Sequence, residues 1–237
     1  MEPPPATVAK TEINHPIQPA TEPMQYRAIG VVPGRYLASE DQFTKGILLT
    51  TDGIPVDAVL LGKVMNYVRK HTQSDQDYLW VVYPRTRENP PGLHLQIVGV
   101  WGEVGIPQEG VIPDEFSIRG EILYHDPRLP PAEAYIVVKI RIQTPPSTEP
   151  EGKVRPRFFK LRLAGSLPST GRATQDFWDL RVQRQGYHLV IVDGQRIGTV
   201  MRRPRPKRAS SSRPSALTPA SDEPPPPKPV RKRHIPS

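Results

Sequence analysis

The sequence predicts a mostly β protein built from two small OB-like barrels in tandem, with an SH3-like barrel as the competing arrangement. A proline-rich N-terminal segment and a basic C-terminal tail flank them. Three observations carry this reading. From Gln25 to Val200, β-branched and aromatic residues alternate with polar ones at the period of a pleated strand. Turn residues interrupt that alternation about every eight to twelve positions, the spacing of small barrels and sandwiches. Composition is the third: 31 of the 237 residues are proline and none is cysteine. Part of the chain therefore lies outside any packed core, and no disulfide framework holds the rest.

In the first half five strands are legible, Arg27 to Leu37, Lys45 to Asp52, Ile54 to Leu60, Tyr78 to Arg85, and Leu93 to Trp101. Asp52-Gly53 joins the second and third as a hairpin, because both residues tolerate the positive φ of a tight turn. Within about residues 58–71, Leu61, Val64, Met65 and Val68 recur at helical spacing, while Lys63, Asn66, Arg69 and Lys70 cover the opposite side. Lys70 and His71 suit the negative end of that helix's dipole. The order β-β-β-α-β-β is that of the OB-fold, a five-stranded barrel plugged at one end by such a helix.

The second half repeats the idea with Phe116 to Tyr124, Tyr135 to Gln143, Arg155 to Ala164, Phe177 to Arg184, and Tyr187 to Val192, with Gln185-Gly186 turning the last pair. No sequence repeat links the halves. Ser166 to Gln175 occupies the position of the helix, yet it carries Pro168 and Gly171 and lacks an apolar stripe. It reads as an irregular loop, which makes this the less regular of the two OB-like domains.

Composition shifts divide the chain at 1–24, 25–104, 105–200 and 201–237. The first segment holds Pro3, Pro4, Pro5, Pro16, Pro19 and Pro23. The last 37 residues contain ten prolines, six serines, ten basic and two acidic residues and no aromatic, so the formal excess of +8 resides there. Ordering a residue costs about 1–2 kcal/mol of backbone entropy. Neither end has the apolar surface to offset that, and both read as disordered. Glu2 and a proline run stand where a secretory signal needs a basic start and an apolar core. No stretch approaches the roughly 18 uninterrupted apolar residues of a membrane span. The expectation is a cytoplasmic protein without membrane insertion.

Four stretches, Ala28-Ile29-Gly30-Val31-Val32, Asp57 through Met65, Leu79 through Arg87, and Gln175 through Leu180, carry a resemblance. Over about residues 25–192 the chain resembles a family of uncharacterised cyanobacterial proteins. The resemblance implies a bacterial cytoplasm and brings no known function with it.

Catalytic signatures are missing. The lack of cysteine excludes a thiolate nucleophile, an iron–sulfur cluster and a Cys-type zinc site. There is no G-x-x-x-x-G-K-[ST], no H-E-x-x-H and no G-x-S-x-G. Gly99, Gly102 and Gly105 are spaced by three, but no helix pattern follows to complete a phosphate loop. His15, His71, His94, His125, His188 and His234 offer no pair at ligand spacing. Asp75 with Asp77, and Glu149 with Glu151, sit in polar loops where solvation keeps carboxylates ordinary. The reading is a protein without cofactor, metal or catalysis.

The second half suggests a binding face instead. If Ile136, Val138, Ile140 and Ile142 point into the core, alternation directs Tyr135, Lys139, Arg141 and Gln143 outward. In the next strand Phe159, Leu161 and Leu163 point inward, and Phe158, Lys160 and Arg162 outward. Trp178, Leu180 and Val182 would be core, leaving Phe177 and Arg181 exposed. On an OB-fold the outer face of strands two and three is where single-stranded nucleic acid lies, bases stacking on aromatics while cations neutralise phosphates. In the first half Tyr83, Arg85 and Arg87, with Tyr36 and Arg35 nearby, read as cross-strand packing and solvated guanidinium groups.

The tail adds two basic blocks, Arg202, Arg203, Arg205, Lys207 and Arg208, then Lys228, Arg231, Lys232 and Arg233. Such blocks bind polyanions by counterion release. The leading expectation is a noncatalytic nucleic-acid-binding protein, associated with RNA or the ribosome, that uses the aromatic and basic sheet face together with the tail. The alternative is a protein–protein adaptor or assembly factor whose tail contacts an acidic partner.

Overall fold

The computed structural model describes residues 15–87, 92–102, 110–130, 133–142, 157–168 and 173–201. The first alternating segments form β1 (Arg27–Ala38), β2 (Lys45–Thr50) and β3 (Pro55–Leu60), an antiparallel meander. Then come α1 (Val64–His71), β4 (Tyr78–Thr86) and β5 (Leu93–Trp101). β5 runs parallel to β3 and antiparallel to β4, and β4 returns to β1, which closes the barrel. A parallel pair cannot be joined by a hairpin. The chain between β3 and β5 makes that crossover through α1, which buries Val64 and Val68 beneath the barrel. The helix is shorter than its periodicity suggested: Gly62 turns at positive φ, so Leu61 precedes α1 and is exposed.

The second half closes in the same order. β6 (Glu115–His125), β7 (Tyr135–Arg141) and β8 (Phe158–Ala164) form the meander. β10 (His188–Thr199) runs parallel to β8 and antiparallel to β9 (Asp176–Gln185), which closes on β6. No helix occurs between β8 and β9 among the described residues. The chain thus carries two tandem OB-folds, and in the second β10 runs on to Thr199. Bulges between Ile191 and Asp193 and between Arg196 and Gly198 carry the pairing through a polar stretch that breaks the alternation.

The core of the first barrel centres on Trp80, with Tyr36 and Tyr78 against it at ring separations of 6.3 and 5.6 Å. Trp80 Nε1 donates to the Gly34 carbonyl at 2.7 Å. At Gly34, β1 changes partner from β4 to β2, and a Cβ there would collide with the Leu49 carbonyl oxygen.

The two barrels share one sheet. Arg27–Gly30 of β1 pairs antiparallel with Phe116–Arg119 of β6. Each first strand therefore gives half of one edge to the other barrel and the remainder to its own second strand. Gly30 faces Phe116 across this seam, where any side chain would strike the phenyl ring. Arg184 of β9 fixes the barrels a second time. Its side chain is 1% exposed and donates to Asp114 at 2.7 Å and, with two nitrogens, to Asp52 in the β2–β3 turn at 3.0 and 3.1 Å.

Residues 15–24, expected to be unpacked with the rest of the N-terminal segment, are part of this structure. Arg27 donates to the Gln18 carbonyl and Arg119 to the Pro23 carbonyl, so the segment lies along the outer surface of β6 and β9. Its carbonyls accept from the half-buried Arg27 and the buried Arg119, which ties it to the sheet. No helix among the described residues is long and apolar enough to cross a membrane.

Candidate nucleic-acid interface

The register of β7 and β8 places the expected residues on one face. Val137 lies opposite Arg162, Lys139 opposite Lys160, and Arg141 opposite Phe158. The alternate residues Ile136, Val138, Ile140, Leu161 and Leu163 are buried. Tyr135, Lys139, Arg141, Phe158, Lys160 and Arg162 therefore share the outer surface of the second barrel, as a pleated strand requires.

Phe158 is the open platform on this face. Its side chain is 51% exposed, and Lys139 Nζ lies 5.1 Å from its ring centre. Tyr135 is more engaged: Tyr124 stacks on it at 4.9 Å with planes 20° apart, and the Arg162 guanidinium lies 4.0 Å over its ring. The free aromatic surface of that stack belongs to Tyr124, which is 38% exposed. The cations differ in availability. Lys139 donates to Glu121 at 3.1 Å, so its charge is largely spent within the sheet. Lys160, Arg162 and Arg141 have no ion pair among the described residues, and Arg141 sits 5.1 Å over the Tyr26 ring. Aromatic faces beside unpaired cations suit bases and phosphates together.

Two expected positions fall elsewhere. Phe177 does lie on the outward side of β9, opposite Glu121, yet it is fully buried. Tyr26 covers it, ring edge to face at 5.0 Å and 85°, because the N-terminal segment crosses this part of the sheet. Arg181 is exposed but lies on β9 opposite Ser117, in a separate groove beside His15 and Ile17. Ile142 is a further correction: β7 ends at Arg141, and Ile142 is 41% exposed instead of core. Gln143 and the tail cations Arg202, Arg203, Arg205, Lys207, Arg208, Lys228, Arg231, Lys232 and Arg233 lie outside the described residues.

Tyr124 and Tyr26 were not legible as site residues. Tyr124 shares the parity of Ile122 and should point inward, but a bulge between them turns it outward. In the first barrel the corresponding outer surface carries Leu37, Ile47, Leu49 and Val59, and two of the nearby cations are neutralised. Arg35 pairs with Asp77 at 3.1 Å and Arg87 with Asp57 at 2.9 Å. Arg85 departs from the solvated guanidinium expected of it, for it is half-buried and stacked 3.7 Å over Phe159 of the second barrel.

Residues 28–107 match a family model described as the N-terminal OB-fold domain of the PatR RNA-binding protein. Residues 118–198 match one described as a cyanobacterial OB-fold-like RNA-binding domain, C-terminal. No curated protein matches the chain. Among solved structures, the wild-type single-stranded DNA binding protein from Thermus aquaticus aligns at 12% identity and a TM-score of 0.36, over 80% of this chain and 100% of that one. A deletion mutant of the same protein aligns at 9% identity and a TM-score of 0.37, over 77% and 98%. Superpositions this loose transfer neither contacts nor function.

Proposed function

Because the chain belongs to the PatR-type OB-fold RNA-binding family, we propose that it is a noncatalytic binder of single-stranded RNA whose principal contact is the β7–β8 face. The observation that carries this is the exposed Phe158 ring on the same face as Lys160, Arg162 and Arg141, none of which has a carboxylate partner among the described residues. Bases stack on Phe158 and Tyr124, while the three cations meet phosphates. Stacking of this kind needs unpaired bases and tolerates any of them, so the protein discriminates strandedness more than sequence. The basic residues of 201–237 add an electrostatic contribution that depends on salt and not on sequence. The binding unit is residues 25–200, its barrels divided near 104, and it works in the cytoplasm on RNA or the ribosome.

A gel-shift titration with oligouridylate and with duplex RNA at several salt concentrations tests the reading. Tighter binding to the single strand, retained in part at high salt, is expected. Equal binding to both forms that vanishes with salt would mean that the tail alone makes the contact, and the adaptor reading would then lead.

A further inference from the structure

Between the barrels lies a cleft of about 410 Å³, within the range of small-ligand sites, formed by the start of β1, the end of β4, the end of β7 and the start of β8. Tyr26, Arg27, Tyr83, Arg85, Arg141 and Phe159 line it, and no carboxylate does. Two guanidinium groups, those of Arg85 and Arg141, thus face the cleft without a carboxylate in its wall. Arg85 stacks on Phe159, and the one hydrogen bond it shows is to the carbonyl of its neighbour Pro84, at 2.8 Å. Arg27 contributes only its stem, for its terminal nitrogens reach the Gln18 carbonyl and Ser117 in the neighbouring groove. Partial burial holds Arg85 below the ordinary guanidinium range. Tyr83, 38% exposed, offers an open ring.

The walls are fixed in place. Thr86 Oγ1 at the end of β4 accepts from the Arg162 backbone N–H at 3.0 Å, joining the first barrel to β8. The cleft also continues the β7–β8 face, because Arg141 lines it while standing opposite Phe158 in the register.

We infer that this cleft is a nucleotide subsite. It takes one unpaired nucleotide of a strand whose neighbours lie on β7–β8, with the phosphate between Arg85 and Arg141 and the base against Tyr83. An acidic peptide would satisfy the arginines but leave the aromatic rings unused, whereas a nucleotide uses both. The inference rests on the RNA-binding reading above and extends its path onto the first barrel.

The test uses the full chain and fluorescence anisotropy with oligouridylates of about four and about twelve nucleotides, the span over which an OB-fold site fills. Arg85→Gln and Tyr83→Ala are each expected to weaken the longer strand about tenfold and leave the shorter one unchanged, while Phe158→Ala weakens both. Arg85→Lys, which keeps the charge and loses the planar stack, should fall between. A strand carrying 4-thiouridine should cross-link to the peptides holding Tyr83 or Phe159. Parent-like binding of the cleft variants at both lengths, with Phe158→Ala still weakened, overturns the subsite and leaves the β7–β8 reading intact. Binding of UMP alone, lost in the same variants, would assign the cleft to a free nucleotide and overturn its place on the strand's path.

Discussion

Replacing Phe158 with alanine separates binding from folding more cleanly than any other change on the β7–β8 face. With half of its surface already in water, the side chain contributes little to the core, so truncation should leave the melting temperature close to that of the parent. Leu161, on the opposite side of the same strand and fully buried, sets the scale, since Leu161→Ala should cost about 2–5 kcal/mol through the cavity it leaves. A base stacked on an aromatic ring is worth about 1–3 kcal/mol, and about 1.4 kcal/mol is tenfold in affinity. Phe158→Ala should therefore weaken oligouridylate binding roughly fivefold to a hundredfold, with a smaller effect on duplex. Adding Tyr135→Ala should weaken it further by unseating Tyr124 and Arg162, whereas Lys160→Ala should lower the salt slope by about one. Anisotropy titrations at three salt concentrations, with a thermal melt of each variant, supply the measurement. Parent-like affinity in a folded Phe158→Ala protein would rule out base stacking on this face, because no other exposed ring on β7 or β8 is as open.

Other expectations follow from the same structure. Deleting residues 201–237 removes ten of the 32 basic side chains and should flatten the salt dependence of RNA binding, with an unchanged slope counting against the tail as a contact. Arg184→Ala leaves Asp114 and Asp52 without their cation and should cost about 3–5 kcal/mol in urea unfolding; a loss under about 1 kcal/mol would show that the clamp is incidental. Burial, with Arg87 adding to it, holds His94 below its ordinary value of about 6.5, as burial also holds His125. The folded chain then binds fewer protons than the unfolded one, so stability present above about pH 6.5 is lost as pH falls toward the folded-state values. Melting temperatures at pH 7.5 and 5.5 should show that fall, reduced in His94→Gln; a flat profile would contradict it.

The strands were legible because each has a wet face and a dry face, and alternation over six or more residues leaves one assignment. Lys139 and Ile140, or Lys160 and Leu161, could not exchange sides without burying a charge. Legibility ended where residues distant in sequence decide the outcome. Phe177 has the right parity for exposure and is covered because Tyr26 arrives on the N-terminal segment. Tyr124 has the wrong parity and is exposed because of a bulge that no local residue announces. Arg85 reads as an ordinary surface cation until β4 meets β8 and sets it over Phe159. The β7–β8 face was thus written in its own strands, Tyr124 apart, and the cleft was written in the packing.

The antiparallel pairing of β1 with β6 makes the molecule a gauge of fixed length. Tandem domains on a loose connection adjust their spacing to whatever they hold, and lose entropy when the second one engages. Here that entropy is surrendered on folding, since Arg27–Gly30 and Phe116–Arg119 are hydrogen-bonded to each other before any ligand arrives. Cutting the chain between the barrels would bare a strand edge on each half, an invitation to pair with a second copy. In the intact chain, a strand that reaches from the β7–β8 face toward the first barrel must match the span with its own backbone, because the protein has no slack to offer.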